Sequence, residues 1–195
     1  MPLWLGQEVQ EVPRRLTAPD PALADDAIRL EPLAKEHVPD LGWVLDGDAD
    51  TAQFTRIPSK PDAGFLRTWL ERYERSWETG DAAGFAVRDG ATGEAIGFAG
   101  FVALDLEKQE GEIGYVIAPA ARGRGAAGRA VGLLTGWGLA DLALQRLELR
   151  IDPANAASAR IAERAGYRLE GTLRNLYFKE GRRGDIGVWS RLADE

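Results

Sequence analysis

The feature that most restricts the fold lies between Gly111 and Leu134, in the segment GEIGYVIAPAARGRGAAGRAVGLL. A short apolar run ends at Pro119, a turn rich in glycine and arginine follows, and an apolar pattern typical of a helix begins. The first amide groups of a helix have no partner within the helix, and the helix dipole makes that end positive. A strand that leads through glycines into a helix is therefore typical of an anion-binding site.

The segments on both sides of this turn indicate one mixed α/β domain. Alternating apolar and polar residues predict strands, and apolar residues at helical spacing predict helices. Strands are predicted at 27–33, 111–118 and 145–152, as a hairpin at 84–104 and as an antiparallel pair at 167–178 and 185–192, and helices at 34–46, 61–80, 125–142 and 155–166. We therefore expect a single domain over residues 27–195, preceded by an extension over residues 1–26 that Trp4 pins to it.

Composition excludes several kinds of site. The chain has no cysteine and one histidine, His37. Disulfides, a cysteine nucleophile and paired-histidine metal sites are therefore excluded, and we expect no metal. His37 lies in the segment predicted as an amphipathic surface helix, which favours a structural role. Acid–base chemistry is left to carboxylates, hydroxyls, phenols, amines or water.

The charge balance bears on partners. The net charge of −7, from 31 acidic and 24 basic residues, argues against a nucleic-acid partner, because nucleic-acid-binding proteins usually carry the opposite balance. No apolar run approaches the length of a membrane span, and the first residues do not resemble a signal peptide. We expect no membrane partner and a cytoplasmic location. Against this acidic background, Arg122, Arg124 and Arg129 form a local basic cluster that favours a small anion.

Two common phosphate-binding motifs fit the turn poorly. The Lys-Ser/Thr pair of a Walker loop is absent. Gly123, Gly125 and Gly128 have the GxGxxG spacing of a dinucleotide-binding fold, but in that fold the motif opens a run of parallel strand–helix units. A predicted antiparallel hairpin precedes it here, so we set this alternative aside.

Two spaced motifs resemble a known family. Arg122-x-x-Gly125-x-Ala127 is similar to the R/Q-x-x-G-x-G/A acyl-CoA signature of the GCN5-related N-acetyltransferases (GNAT). Downstream, NAASARIAERAGYRLEG, which begins at Asn155, resembles the RimJ/RimL-type branch of that superfamily. In that branch an Asn-x-x-Ser segment leads into a helix that ends Glu-x-x-Gly-aromatic. The resemblance covers residues 27–192.

The resemblance implies an α/β fold of the α+β type and a binding site for acetyl-CoA. Its central sheet would be mixed and mostly antiparallel, with helices on its faces and two parallel strands, 111–118 and 146–152, that splay apart. The pantetheine arm of the co-substrate would enter the splay, and its pyrophosphate would lie on the helix that follows the turn. The implied binding residues are Val116, Ile117 and Ala118 for the arm, Arg122, Gly123, Arg124, Gly125, Ala126, Ala127, Gly128 and Arg129 for the pyrophosphate, and Asn155 and Ser158 near the sulfur.

The implied reaction is transfer of the acetyl group to a primary amine. Glu112 shares a strand face with Gly114 and Val116, where it would take the proton of the amine, or it would only form a cross-strand ion pair. Ser158 would protonate the departing thiolate, or it would only be a capping residue in the first turn of its helix. Tyr115 and Tyr167 have phenols that could do so, but both are predicted to lie in the core. Since no cysteine is present, we expect direct attack in a ternary complex.

The acceptor is open at this point. The branch implies a protein N-terminal amine, while an aminoglycoside, a polyamine or another small amine are alternatives. A non-catalytic regulatory protein that binds CoA on the same fold is a further alternative.

Two repeated patterns on predicted helices bear on packing. Glycines recur every four residues at Gly128, Gly132 and Gly136, which predicts close packing of the helix on the sheet, or in second place a helix–helix contact in a homodimer. Aromatic residues recur at the same spacing, which favours core or dimer packing over a pocket wall. These aromatic residues are Phe65, Trp69, Tyr73 and Trp77.

Overall fold

The computed structural model of the protein describes residues 15–37, 39–46 and 48–195. The predicted contact of Trp4 lies outside these residues. Within them the chain forms seven strands, all in one sheet, and four α-helices. The strands are β1 (Ile28–Pro32), β2 (Ala83–Asp89), β3 (Ala95–Asp105), β4 (Glu110–Ile117), β5 (Arg146–Ile151), β6 (Arg168–Lys179) and β7 (Arg182–Leu192), and the helices are α1 (Ala49–Phe54), α2 (Ala63–Thr79), α3 (Ala126–Ala140) and α4 (Ala156–Arg164).

The sheet has the order β1-β2-β3-β4-β5-β7-β6. Neighbouring strands are antiparallel except β4 and β5, which are parallel. The mixed, mostly antiparallel sheet that the sequence predicts is confirmed. A parallel pair cannot be joined by a tight hairpin, and the connection here is the glycine-rich turn followed by α3.

Apolar residues pack on both faces of the sheet. On one face, α3 and α4 cover a cluster that includes Leu134, Trp137 and Leu147. On the other face, α2 covers a second cluster that includes Leu66, Leu70 and Phe98. None of the helices in the described ranges is both long and apolar enough to cross a bilayer.

The parallel strands β4 and β5 stay together for a short distance only. They pair at three positions, the last of which joins Glu112 to Glu148. From there β5 continues along β7 as far as Ile151, whereas β4 continues along β3 as far as Ile117. The two strands therefore splay apart, as the resemblance implied.

A bulge in β3 lies opposite the point of separation. The register of β3 against β4 shifts by one residue between Phe101 and Ala103, which leaves Val102 as the extra residue. A bulge bends a strand pair and increases its local twist. On β4, a Cβ added to Gly114 would lie 2.6 Å from Val102 Cγ1. We attribute the divergence of β4 from β5 to this bulge and to the glycine that accommodates it.

The prediction of a helix over residues 34–46 is wrong. The chain forms two short 3₁₀ turns there, Lys35–His37 and Gly42–Asp46. Pro39 lies between them, and a proline disfavours helical geometry in the residue before it and has no amide hydrogen to donate. His37 is buried rather than on a surface helix, and its ring Nδ1 lies 3.1 Å from both the amide nitrogen and the carbonyl oxygen of Ala34.

The prediction that the regularly spaced glycines of α3, which we call the glycine stripe, pack closely on the sheet is also wrong. A Cβ added at Gly128, Gly132 or Gly136 would meet no atom within 4 Å, so these glycines do not pack on the sheet. Gly138 is the glycine of α3 that does, because a Cβ there would lie 2.8 Å from the ring of Phe101. The stripe leaves one face of α3 bare.

Candidate active site

Two clefts open where β4 and β5 separate, one on each face of the sheet. The larger, of about 1440 Å³, lies against α3 and α4, and the smaller, of about 700 Å³, lies against α2. They share six lining residues, which are Phe54, Thr55, Tyr115, Val116, Asn155 and Ser158. Because these residues belong to both clefts, a group that ends in one cleft is in reach of a group that ends in the other. We call this meeting point the junction.

The beginning of α3 forms one end of the larger cleft. Gly123 and Gly125 have φ angles of 77° and 85°, a left-handed conformation that side chains disfavour. Gly125 is the N-cap of the helix and has no side chain to bond the first amides, so the N–H groups of Ala126 to Gly128 point toward the cleft without an intrahelical partner. Of the residues predicted for the pyrophosphate, all but Arg124 line this cleft.

The two arginines of the turn that line the cleft are already paired. Arg122 Nη1 and Nη2 donate to the Asp48 carboxylate at 2.9 and 2.6 Å, and its Nε donates to the carbonyl of Ile117 at 3.0 Å. Arg129 Nη1 donates to Asp25 and Asp26 at 2.8 and 2.6 Å. The positive charge expected of this basic cluster is therefore partly balanced by carboxylates. They fix the surrounding loops around the beginning of α3.

Four further arginines line the larger cleft and were missed in the sequence. Arg160 and Arg164 are exposed on α4 and make no hydrogen bond or ion pair with any residue that the structure describes. Arg168 pairs with Glu195, and Arg191 donates to the carbonyl of Ala165. The spacing of Arg160 and Arg164, four residues apart on a helix, places both on one side. This spacing is the feature of the sequence from which the two arginines could have been predicted to line the site.

The backbone groups that face the splay differ from those predicted. The amide of Ala118 donates to the carbonyl of Ile96 at 2.8 Å, so it points toward β3. Since bonded and non-bonded pairs alternate along an antiparallel ladder, the peptide groups of Val116 also point toward β3, and those of Tyr115 and Ile117 point toward the open side. Arg122 occupies the Ile117 carbonyl. The free groups are therefore the Ile117 amide and the peptide groups of Tyr115, rather than Val116 and Ala118.

The hydroxyl of Tyr115 lies at the junction. It is buried and meets no hydrogen-bond partner among the described residues, which is uncommon because a buried unpaired hydroxyl costs about 1–3 kcal/mol. Burial raises the pKa of the Tyr115 phenol, and the Ser158 side chain, which lies nearby but outside full hydrogen-bond geometry, opposes that shift as a weak hydrogen-bond partner. An unpaired buried donor at the meeting point of two clefts is suited to a group that arrives with a ligand.

Ser158 and Asn155 lie beside this hydroxyl at the start of α4. The side chain of Asn155 caps the helix, since its Oδ1 accepts the amide hydrogen of Ser158 at 3.0 Å. The capping group is thus the carboxamide of Asn155, and the hydroxyl of Ser158 takes no part in the cap. That hydroxyl is left for a ligand.

Glu112 faces the smaller cleft on the α2 side of the sheet. Its Oε2 lies 3.3 Å from Arg150 Nε, and the same nitrogen lies 3.4 Å from Glu148 Oε2. The ion pair weighed in the sequence therefore exists, and it holds one carboxylate oxygen. The other oxygen makes no hydrogen bond to the described residues.

Aromatic side chains wall the smaller cleft. The aromatic repeat of α2 divides into two parts, which corrects the expectation of core or dimer packing throughout. Trp77 packs on Phe85 and Trp137 in the core, whereas Phe65 and Trp69 are half-buried and line the cleft beside Tyr73. The register of α2 on the sheet decides this division.

The sequence comparison identifies the family. A family model described as the acetyltransferase (GNAT) domain matches residues 27–168. The chain belongs to the GNAT acetyltransferase family. A probable GNAT acetyltransferase from Chromobacterium violaceum ATCC 12472 shares 30% identity, with a TM-score of 0.79 over 100% of this chain and 98% of its own.

Other GNAT relatives act on different amines. The spermidine N(1)-acetyltransferase of Escherichia coli strain K12 is 27% identical over 164 residues, which is 80% of this chain and 80% of its own. RimL, a ribosomal L7/L12 alpha-N-protein acetyltransferase in complex with coenzyme A, is 20% identical, with a TM-score of 0.79 over 86% of this chain and 95% of its own. At that identity the likeness to RimL shows the fold alone.

Membership of this family makes the chain an acetyl-CoA-dependent N-acetyltransferase. The described residues contain no group of three or more His, Asp or Glu side chains that could hold a metal ion. The chemistry that the clefts offer comes from Glu112, Ser158, Tyr115 and backbone amides.

The Arg122–Asp48 pair gives a prediction about pH. Arg122 holds the pKa of Asp48 well below its usual range, so the pair stabilises the fold above about pH 4, the value of an unfolded aspartate, and this contribution is lost as the pH falls further. Asp48→Asn keeps a capping side chain for α1 but loses the ion pair. We expect it to lower the free energy of unfolding by about 1 kcal/mol at pH 7 and by a somewhat smaller amount at pH 3, because the unfolded carboxyl is then mostly protonated while the folded one is still ionised.

Urea unfolding at the two pH values measures this difference. The control is Asp50→Asn, because the Asp50 side chain is 69% exposed and its contact to Arg122 is longer, 3.2 Å. An equal loss in both variants at both pH values would show that the pair contributes no special stability.

Proposed function

We propose that acetyl-CoA lies in the larger cleft, that the acceptor amine lies in the smaller one, and that the acetyl group passes directly between them at the junction. The observation that carries this proposal is the set of residues common to both clefts, at the gap between β4 and β5. A cysteine or a histidine dyad for a covalent intermediate is absent from the sequence, which supports direct attack in a ternary complex.

The larger cleft suits the chemistry of coenzyme A. Its pyrophosphate would lie on the free amides of Ala126 to Gly128, and its pantetheine arm would bond the free peptide groups of Tyr115. The bare face at Gly128 and Gly132, which line this cleft, leaves room beside α3. Arg160 and Arg164 would hold a further phosphate, because their guanidinium groups have no partner among the described residues. Asn155 would bond the arm near the sulfur.

The groups at the junction divide the proton chemistry between the two faces of the sheet. On the acceptor side, Glu112 would take the proton of the amine, directly or through water. The amine nitrogen then bonds to the acetyl carbon, and the oxyanion would be held by the Ile117 amide. As the carbon–sulfur bond breaks, Tyr115 or Ser158 would give a proton to the thiolate. Adjacent residues of a strand face opposite ways, which supports a base and an acid on opposite sides.

The class of the acceptor amine and the assignment to the RimJ/RimL-type branch are further parts of this proposal. Residues that resemble the RimJ/RimL-type branch favour an amino terminus or a comparable primary amine, and the spermidine relative makes a polyamine the alternative. A cytoplasmic location and a homodimer stay predictions. The edge strand β6 supports the dimer, since it exposes four large apolar side chains, which are Leu169, Leu173, Leu176 and Phe178. Turnover of an amine panel decides between these acceptor classes.

The first prediction concerns acetyl-CoA binding. Acetyl-CoA binds the native state only, so it must raise the melting temperature. The double change Arg160→Gln with Arg164→Gln should weaken its affinity about tenfold, as two charged contacts to phosphate are lost. Arg67→Gln is the control, because Arg67 is exposed on α2 and lines neither cleft. Calorimetry measures both, and unchanged affinity in the double variant would remove these arginines from the site.

The second prediction concerns the base. Glu112→Gln should lower kcat by about 10²–10⁴ with little change in acetyl-CoA affinity, most severely below the pKa of the amine. Glu110→Gln is the matched control, since Glu110 lies on the same strand, is exposed and lines neither cleft. A pH–rate profile for each variant is the measurement. If Glu112→Gln keeps the native profile, water or another residue is the base.

The third prediction concerns the acid. Tyr115→Phe should lower kcat about tenfold or more without loss of stability, because it removes a buried hydroxyl that has no partner. The control is Tyr167→Phe, since the Tyr167 hydroxyl is 2.9 Å from Thr135 Oγ1 inside the core. That variant should lose stability and keep its turnover per folded molecule. Ser158→Ala, assayed alongside, completes the comparison, and an unchanged kcat in Tyr115→Phe would leave Ser158 or water as the donor.

A further inference from the structure

The walls of the smaller cleft are flat and aromatic. Phe65 and Trp69 stack with their ring centroids 6.3 Å apart and their planes 12° from parallel. Trp69 also lies 4.7 Å from Phe98, measured between centroids. Two further aromatic residues, Tyr177 and Phe178, line the other side. Such walls favour an apolar or aromatic body over a hydrated chain.

The charged side chains that line the smaller cleft are mostly positive, whereas the protein as a whole has a negative net charge. The chain carries a net charge of −7, yet the cleft is lined by three arginines and two carboxylates. The arginines are Arg56, Arg72 and Arg150, and the carboxylates are Glu112 and Asp152. A site for a polyamine would need the reverse, because each further ammonium group requires an acceptor or a carboxylate.

All of these charged groups except one are already engaged. Glu112 pairs with Arg150, and Asp152 Oδ1 accepts the amide of Ala154 at 2.8 Å. Arg72 donates to the carbonyl of Val102 at 3.1 Å. Arg56 makes no hydrogen bond or ion pair with the residues that the structure describes, so it is the arginine of the cleft whose guanidinium is left for a ligand.

The backbone next to Arg56 is held in place. The carbonyl of Thr55 accepts a hydrogen bond from the Tyr177 hydroxyl at 2.8 Å and another from Lys179 Nζ at 3.0 Å. Burial raises the pKa of both Tyr73 and Tyr177, and the nearby charge of Arg56 opposes each shift. The guanidinium thus lies within electrostatic reach of two walls of the cleft.

From these contacts we infer that the acceptor is an amine with a flat apolar body and an anionic group, and that Arg56 is the counter-ion of that group. This inference rests on the proposed function, because it assigns the acceptor to the smaller cleft. An amino-acid-like acceptor with an aromatic side chain has both features. A polyamine has neither, and its second ammonium would meet an arginine.

The test compares amines that share an aromatic ring and differ in the charged group that they carry besides the amine. The first set begins with benzylamine, which carries no second charged group. In the same set, 4-(aminomethyl)benzoate carries a carboxylate at the far end of the ring, and 4-(aminomethyl)benzylamine carries a second ammonium there. A second set is phenethylamine and phenylalanine, in which the carboxylate lies beside the amine. In at least one set we expect the acid to exceed its neutral parent in kcat/KM by about fivefold, and the diamine and spermidine to be the poorest substrates.

A substitution links the preference to Arg56. Arg56→Gln should remove most of the advantage of the acid, whereas Arg67→Gln, an equal change of charge outside both clefts, should retain it. Calorimetric titration of each amine into the CoA-loaded protein gives the same order without catalysis. If the neutral amines or spermidine bind as well as the acids, or if Arg56→Gln leaves the preference intact, the inference is overturned. Binding in the expected order without turnover of any amine would instead refute the proposed transfer between the two clefts.

Discussion

β4 and β5 part after three paired positions, and both clefts exist because they part. The gap does not arise because either strand ends, since beyond it β4 stays paired with β3 and β5 stays paired with β7. It depends on the bulge at Val102, which bends β4 at the residue where its pairing with β5 ends. Gly114 permits this bend because a side chain there would overlap Val102. One extra residue in a neighbouring strand thus opens the sheet.

Arginine serves three different purposes around this opening. Arg150 bridges Glu112 on β4 and Glu148 on β5, so it joins the two strands at the point where they separate. Arg122 joins Asp48, before α1, to the carbonyl end of β4. Arg160 and Arg56 have no partner in the described ranges, and they lie in the larger and the smaller cleft respectively. The paired arginines build the site, and we propose that the unpaired ones bind the two substrates.

Strand alternation explains why the proposed base and acid do not interfere with each other. Glu112 and Tyr115 are three positions apart on β4, an odd number, so they lie on opposite faces of the strand. Glu112 lines only the smaller cleft, on the α2 side, whereas Tyr115 lies where the two clefts meet. A carboxylate that accepts a proton and a phenol that donates one are kept apart by the sheet itself, and the gap between the strands is where their ligands meet.

The sequence by itself determined the strands, the turn and the helix at the centre of the fold. Gly125 and Asn155 could be recognised as helix starts because local backbone geometry and capping depend on neighbouring residues. The pattern failed at 34–46, where Pro39 outweighed a helical spacing. It also failed for Phe65 and Trp69, because spacing shows which residues share a helix face but not what that face meets.

Tertiary structure alone decided which groups are free. Only the fold brings Arg122 against its partner Asp48, 74 residues away in the chain. Arg56 carried no signal and Tyr115 was expected to lie in the core, because the importance of both lies in having no hydrogen-bond partner among the described residues, and packed surfaces decide whether a partner is met. Local interactions fix conformation within a few residues, whereas the charge and the hydrogen-bonding capacity that remain for a ligand are known only after distant segments have met.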